Sequence, residues 1–505
     1  MNFIRDFVEQ AERRPEAPAI IHEDRTYSYG ELMGQIDSCG WALKEGGVSP
    51  GDRVALMMNN RPEFAVAYNA TIKIGAIVVP INTFLKGREL EQQINDVNPK
   101  VFIGNDWAAL SVAEVRDRLT TVRQFVFTGN IPGETSFDEF LSSKKERLPV
   151  HPSRANDVAV IKFTAGTTGP AKGAMQTHEN IRYFLHTNMD IYPIEPEHCI
   201  LLFVPLFHGF GDHCCMNPVL MSGASIVLMD PFKPVAIFEA IQNYRCTFFG
   251  ATPSMLYGLM HHPAADDYNL SSLRRVLTGG GPVSREIVEG FKKKFNVDVL
   301  QGYGLTEGTA GYTYTRVDMP FREGSCGVAL PGVEIRIEDD EGNELAPGQV
   351  GEIVVRSVLN MKGYWNNPQA TAAAIKEGWL HTGDLGKLDE DGYLYVVDRK
   401  KDLIIMSGEN IYPAEVEDVL VTHPAVAEAA VIGAPDPRRG EVPCAVIVPK
   451  SGQSPTEEEI IGFCRERMAS FKVPRMVYFR ASMPKSAVFK VLRRELRREL
   501  FGSGR

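Results

Sequence analysis

No apolar run in this chain comes near the roughly 20 residues that a membrane-crossing helix needs; the longest, at 200–207 and 74–81, are far shorter. A transmembrane protein is excluded, and lipid contact is left to a substrate or to a peripheral face. The eight cysteines are scattered without C-x-x-C spacing, which removes the usual zinc and redox motifs and predicts reduced thiols in a cytoplasmic protein. Surplus positive charge is missing too. With 54 Lys and Arg against 64 Asp and Glu the formal net charge is -10, so a nucleic-acid partner is not expected, while a locally basic pocket for a nucleotide is compatible. The N-terminus MNFIRDFVEQAERRP lacks the apolar core of a signal peptide. Its Phe3, Ile4, Phe7 and Val8 fall at helical spacing and predict a helix docked on the body. No repeat of solenoid period is present.

What the sequence does contain is an alternation of strand and helix signals. A β-branched run at 157–163 is followed by a glycine loop and then a helical pattern over 177–190. Strand, loop and helix recur at 272–278, 279–282 and 284–295, and another strand is predicted at 297–300. This order predicts an α/β fold with loops gathered at one set of strand ends. Further on, short strands at 335–337, 350–356 and 392–397 are separated by acidic and glycine turns, as in a smaller β-rich module. After the charged stretch DRKKD at 398–402 come a hairpin, a helix at 413–421, strands at 426–433 and 443–448, and a helix opened by Ser454-Pro-Thr-Glu457 as a capping box. A domain boundary is predicted near 399–402.

Three motifs carry chemistry. The stretch FTAGTTGPAKG at 163–173 holds three glycines, three threonines and Lys172. It does not fit the Walker A spacing, yet glycines that admit positive φ, threonine hydroxyls and a lysine make an anion cradle; a plain surface loop is the competing reading. The string QGYGLTE at 301–307 offers an aromatic face in Tyr303, a hydroxyl in Thr306 and a carboxylate in Glu307, a set suited to a base, a phosphate and a phosphate-bound Mg²⁺. The third, HTGD at 381–384, offers a carboxylate for ribose hydroxyls, with Arg399 fifteen residues on. The second alone reads as a structural turn, and the joint order of the three makes coincidence improbable.

At these residues the chain resembles the adenylate-forming superfamily, which includes acyl-CoA synthetases, peptide-synthetase adenylation domains and firefly luciferase, and within it bacterial medium- and long-chain fatty acid CoA ligases. The resemblance extends over essentially the whole chain through PLFHGFG at 205–211, TGGGP at 278–282, GEIVV at 351–355, DRKKD at 398–402, SGENIYP at 407–413 and PKSAVFK at 484–490. It implies a large N-terminal domain of α/β layers with a β-rich subdomain, residues 1–399, and a small mobile α+β C-terminal domain, residues 400–505, hinged near Lys401. It further implies ATP, Mg²⁺ and CoA as cofactors and a small-molecule carboxylic acid as substrate, with a monomer or homodimer as the assembly.

Residue by residue, the resemblance implies that Thr164, Gly166, Thr167, Thr168, Gly169 and Lys172 hold the ATP phosphates and that Thr306 and Glu307 complete the phosphate and Mg²⁺ contacts. Gly280, Gly281, Gln301 and Tyr303 would line adenine, Asp384 and Arg399 would hold ribose, and His208, Phe210 and Gly280 would face the acyl group. Lys490 would bridge the carboxylate and the α-phosphate during adenylation. Ser407, Gly408 and Glu409 would flank the incoming thiol after rotation about Lys401. His208 sits among Leu206, Phe207 and Phe210; a positioning role is expected of it, and a metal pair with His213 is not, because five residues is off the helical i, i+4 spacing. Three residues depart from the family pattern: Ala165 in place of serine, Ala171 in place of proline, and Phe489 in place of the glycine before Lys490, with Lys485 as a weaker substitute if that lysine is misplaced. The leading reading is an ATP-dependent acid:CoA ligase for an aliphatic acid. A ligase loading a carrier-protein phosphopantetheine and a nucleotide- or acyl-binding protein without turnover are the alternatives.

Overall fold

The computed structural model describes every residue except Lys145, 165–170, Pro231, Pro282, Gly408, 487–489 and 503–505. The chain divides into two compact units, residues 1–334 with 356–380, and residues 335–355 with 381–505.

In the first unit, six strands run parallel in the spatial order Asp298–Tyr303, Arg275–Thr278, Phe248–Ala251, Cys199–Leu202, Ser225–Leu228 and Pro18–His22. Parallel strands put their carboxyl ends on one edge, the usual place for a ligand in an open α/β sheet. The segments that begin at 203, 252, 279 and 304 therefore leave the sheet side by side. A second sheet is built around Val158–Thr164, Ile77–Pro80, Arg53–Met57, Val101–Gly104 and Gln124–Phe127, also parallel. The helix Pro62–Lys73 is buried along nearly its whole length, so it is an interior layer rather than a surface amphipath. The expected N-terminal helix forms as Arg5–Arg13, with Phe3, Ile4, Phe7 and Val8 all buried.

Two local expectations need correction. The helix after the glycine loop is preceded by a strand, Lys172–Thr177, which pairs antiparallel with Val158–Thr164. The order is strand, loop, strand, helix His178–Ile191, because the second strand finds its partner across the loop and not in its own periodicity. In the second unit the capping box is Thr456 with Glu459, not Ser454 with Glu457: the Thr456 hydroxyl accepts from the Glu459 N–H, and the Glu459 carboxylate accepts from the Thr456 N–H. The helix starts at Glu457, leaving Pro455 outside it.

The second unit holds most of the strands Val333–Glu338, Gly351–Ser357 and Trp379–Leu388 and all of Tyr393–Arg399, in that sheet order. It also holds a five-stranded sheet whose long hairpin, Val426–Asp436 with Gly440–Pro449, is covered by helices Pro413–Val421 and Arg493–Phe501 around an aliphatic core. All eight cysteines are free and buried. Among the described residues no helix is long and apolar enough to cross a membrane.

One interior feature of the first unit has a direct energetic consequence. Lys73 is fully buried and pairs with Asp37 of the helix Tyr29–Glu45. Removing one partner of a buried pair leaves an uncompensated charge, which costs about 3–5 kcal/mol. Asp37→Ala is therefore expected to lower the unfolding free energy by about that amount in chemical denaturation, and the double change Asp37→Leu with Lys73→Met to recover most of it.

Candidate active site

The strands Val158–Thr164 and Lys172–Thr177, which flank the glycine loop in sequence, pair antiparallel, with Thr164 opposite Lys172. Residues 165–170, with the expected Gly166, Thr167, Thr168 and Gly169, lie outside the described residues, as do Gly408 and Phe489. The two ends of the loop are described. The Thr164 hydroxyl donates to the Lys172 carbonyl at 3.5 Å, and the Lys172 ammonium stands 5.0 Å from the centre of the Tyr364 ring. The Tyr364 hydroxyl in turn donates to Glu307 Oε1 at 2.8 Å. Burial and the Glu307 charge push this phenol up, so it stays a proton donor and fixes one carboxylate oxygen as acceptor. Lysine, aromatic ring and carboxylate are thus in sequential contact, starting from the first residue of the strand Lys172–Thr177.

Thr306 and Glu307 occupy a single turn, Thr306–Gly308, directly after the strand Asp298–Tyr303. The chain folds back so tightly that a Cβ on Gly304 would lie 2.0 Å from the Ala310 carbonyl oxygen, a position no side chain tolerates. The neighbouring strand end carries the 279–281 loop. Gly280 has φ +81 with open space where a Cβ would be, so its glycine is required by backbone conformation. Gln301 donates from Nε2 to the Gly281 carbonyl at 3.4 Å. Tyr303 is buried, with 8% of its surface exposed. Gly280, Gly281, Gln301, Tyr303, Thr306 and Glu307 are therefore neighbours on one sheet edge.

His208 leaves the next part of the same edge. It is exposed, it caps the short turn Gly209–Gly211, and its Nδ1 accepts from the Phe210 N–H at 3.2 Å. With Nδ1 accepting, a neutral imidazole carries its proton on Nε2. The loop is braced by Asn60, whose Oδ1 accepts from the Leu206 N–H at 2.9 Å and whose Nδ2 donates to the carbonyls of Val204 and Met229. The Phe210 ring packs on Gly250, where a Cβ would meet it at 3.0 Å. His213 is fully buried and bonds Gln176, whereas His208 is exposed.

In the second unit Asp384 and Arg399 face each other across adjacent strands and pair at 2.8 Å, with Asp384 buried. Lys401 and Lys490 lie in the field of this pair. Crowding protein lowers Lys490 from the ordinary lysine value, Arg399 adds to that, and Asp384 and Asp402 oppose it; the residue still opens to solvent, so the lysine is surrounded without being sealed. Lys401 is lowered to about 8, first by desolvation, then by Arg399 and Lys490 against Asp402 and Asp384. Lys485 is engaged elsewhere, paired with Glu428 at 2.7 Å. Ser407 has φ +54 and donates its N–H to the Arg439 carbonyl, and Glu409 is exposed on the strand Glu409–Ile411. Arg493 grips the Glu417 carboxylate through two hydrogen bonds, at 3.1 and 2.6 Å, and reaches Asp402 at 3.7 Å.

Sequence reasoning missed Tyr364, Asn60 and Arg493. Arg493 sits in a string, VLRRELRREL, that reads as an ordinary solvated helix, and Tyr364 meets Glu307 across 57 residues of chain.

The carboxyl edge of a parallel α/β sheet is a usual place for a nucleotide, and comparison with known proteins specifies the family. Residues 7–365 match the family described as AMP-binding enzyme, and residues 415–490 its C-terminal domain. The chain belongs to this family, the adenylate-forming superfamily. It is 34% identical to a long-chain-fatty-acid–CoA ligase of Bacillus subtilis (strain 168), over 97% of this chain and 93% of that protein. It is 36% identical to a feruloyl-CoA synthase of an Amycolatopsis species, over 97% of each. Among solved structures it resembles the anthranilate CoA ligase AuaEII in complex with anthranoyl-AMP, with a TM-score of 0.91 and 28% identity over 99% of this chain and 97% of that one.

Lys401 gives the site a measurable signature. Its folded value lies below that of an unfolded lysine, near 10.4, so between about 8 and that range the unfolded chain binds more protons. Stability from this group therefore rises with pH across that window. Competitive amine labelling read by mass spectrometry should place half-reactivity of Lys401 near pH 8, and Lys490→Ala should move it upward by removing a like charge; a Lys401 that titrates with the surface lysines would contradict the described field.

Proposed function

We propose that the chain is an ATP-dependent acid:CoA ligase that forms an acyl-adenylate and passes the acyl group to CoA. The observation that carries this reading is the contact of Lys172, Tyr364 and Glu307, with Glu307 following the strand that bears Gln301 and its bond to Gly281.

A carboxylate oxygen attacks the α-phosphorus of ATP, and the bond to the bridging oxygen of pyrophosphate breaks. The thiol sulfur of CoA then attacks the acyl carbon, the bond to AMP breaks, and the thiol proton is lost. Neither step asks for a protein nucleophile. Both ask for placed positive charge and donors where phosphoryl oxygens gain charge. In this reading Lys490 spans the acid carboxylate and the α-phosphate. Lys172, Thr164 and the loop hold the β- and γ-phosphates, and Thr306 donates to them. Asp384 and Arg399 hold ribose, Tyr303 covers adenine, and His208 orients the acid. Glu307 is the carboxylate for Mg²⁺, which binds proteins through one or two carboxylates and takes its remaining oxygens from phosphates and water. The ion would neutralise phosphate charge. Two reactions at one carbon need two sets of neighbours, so the C-terminal domain, 400–505, turns about Lys401 and brings Ser407, Gly408 and Glu409 to the thiol.

The acid carries an apolar body. Residues 205–210 and the glycines at 279–281 favour an aliphatic tail of medium or long chain, and the likeness to a feruloyl-CoA synthase extends the reading to aryl acids.

Acid-dependent exchange of pyrophosphate into ATP, run over aliphatic acids of increasing length and aryl acids, tests the first step. Exchange is expected with at least one apolar acid, and AMP release is expected to need CoA; release that needs a phosphopantetheinyl carrier protein instead would reassign the acceptor. Absence of exchange across the panel would leave a nucleotide- or acyl-binding protein without turnover. Lys490→Ala should slow exchange by ~10²-fold or more and leave thioester formation from supplied acyl-adenylate nearly unchanged; equal losses in both would remove the assigned role of Lys490.

A further inference from the structure

A chain of buried polar side chains runs beneath the hairpin, and none of its members has a role in the chemistry above. Asn217 Nδ2 lies 3.3 Å from His213 Nδ1, and His213 Nε2 lies 2.9 Å from Gln176 Oε1. Gln176 Nε2 donates to two carbonyls, Thr306 at 2.9 Å and Thr309 at 3.1 Å. The direction of the chain follows from its end. An amide nitrogen must face the two carbonyls, so the Gln176 oxygen accepts, His213 donates from Nε2, and its Nδ1 accepts from Asn217. A neutral imidazole does this, and burial together with Lys162 holds His213 well below the ordinary histidine value. Lys162 pairs with Asp212 at 2.5 Å with both side chains buried, and Asp212 opens the helical turn Asp212–Met216 that carries His213.

The receiving end of the chain is strained. Thr309 has φ +67 and ψ −60, and Ala310 donates its N–H to the Gly308 carbonyl at 2.8 Å, the rare strained form of the three-residue γ-turn. Such backbone persists only where its surroundings over-determine it, and it clusters at functional sites. Here the Thr309 hydroxyl donates to the Leu359 carbonyl at 2.7 Å, and Gln176 holds the carbonyls on both sides of Glu307 and Gly308. Lys162 and Gln176 belong to the two strands whose connecting loop is the glycine loop. An apolar side chain at 176 would leave the Thr306 and Thr309 carbonyls without this donor, which costs free energy for a buried acceptor, so the polar chain acts on the backbone of the turn that carries Thr306 and Glu307.

We propose that Gln176, backed by His213, is a positioning residue for adenylation: it locks the strained 306–310 turn in register with the 158–177 hairpin, so that Thr306 and Glu307 face the same triphosphate as Thr164 and Lys172. This rests on the ligase reading, and its test has an arm that does not. Gln176→Met keeps the shape of the side chain and removes its donors, with Gln176→Leu as a second variant if the first folds poorly. In the ligand-free protein, hydrogen–deuterium exchange of residues 305–311 should quicken in the variant while the rest of the sheet edge is unchanged. Pyrophosphate exchange should lose about 10- to 100-fold in kcat at an unchanged KM for the acid, with thioester formation from supplied acyl-adenylate preserved. His213→Leu should add little to the Gln176 variant, because two residues in one relay are not additive.

Unchanged hydrogen exchange at 305–311, exchange activity within twofold of wild type, or equal loss in both half-reactions would overturn the proposal. If the wild type catalyses no exchange with any acid, the ligase reading falls. The lock is then upheld by faster hydrogen exchange at 305–311 in the variant and overturned by its absence.

Discussion

The site in the first unit depends on how closely the chain can fold back on itself after the strand Asp298–Tyr303. At Gly304 there is no room for a Cβ against the Ala310 backbone, and at Gly308 a Cβ would meet the Tyr312 ring at 2.3 Å. That close approach throws Thr306 and Glu307 outward on a turn too short to hold itself. External bonds supply what the turn lacks: Tyr364 on the Glu307 carboxylate, the Met361 N–H on the Glu307 carbonyl at 2.7 Å, Gln176 on the carbonyls of Thr306 and Thr309. Preorganised donors and charges of this kind stabilise phosphoryl charge without reorganising during the reaction.

The second unit arranges charge differently. Asp384 and Arg399 neutralise each other across two strands, and the two lysines nearby are left with a partly cancelled field. Desolvation first, and Arg399 after it, make both ammonium groups easier to deprotonate than free lysine, and a lysine in that state gains most from an arriving anion, since phosphate or carboxylate supplies a counter-charge. Arg493, from the last helix, ties Glu417 to Asp402 beside Lys401.

Much of this was legible in the sequence, and unevenly so. The strings at 163–173, 301–307 and 381–384 identify the superfamily because each pairs glycine with a polar group at fixed offset, a local property. The helix Pro413–Val421 is likewise legible from its own stretch of sequence, whereas the ion pair of Asp384 with Arg399 is not: it follows from the register of two adjacent strands. The strand Lys172–Thr177 was not, since KGAMQT has no two-residue alternation and owes its form to a partner across the loop. The cap at Thr456 was misplaced by two residues because both Ser454 and Thr456 stand before acidic residues, and only the backbone decides between them. Gln176 reaches Thr306 across 130 residues of chain, and no local pattern announces such a contact.

The central claim is that the chain binds an acyl group and adenosine monophosphate as a single joined molecule, the acyl-adenylate of the proposed reaction. Calorimetric affinity for a hydrolysis-resistant acyl-adenylate analogue, compared with AMP and with the free acid on the full chain, tests it most directly. The account predicts that the analogue binds at least ~10²-fold more tightly than either part; an analogue that binds no more tightly than AMP would contradict it.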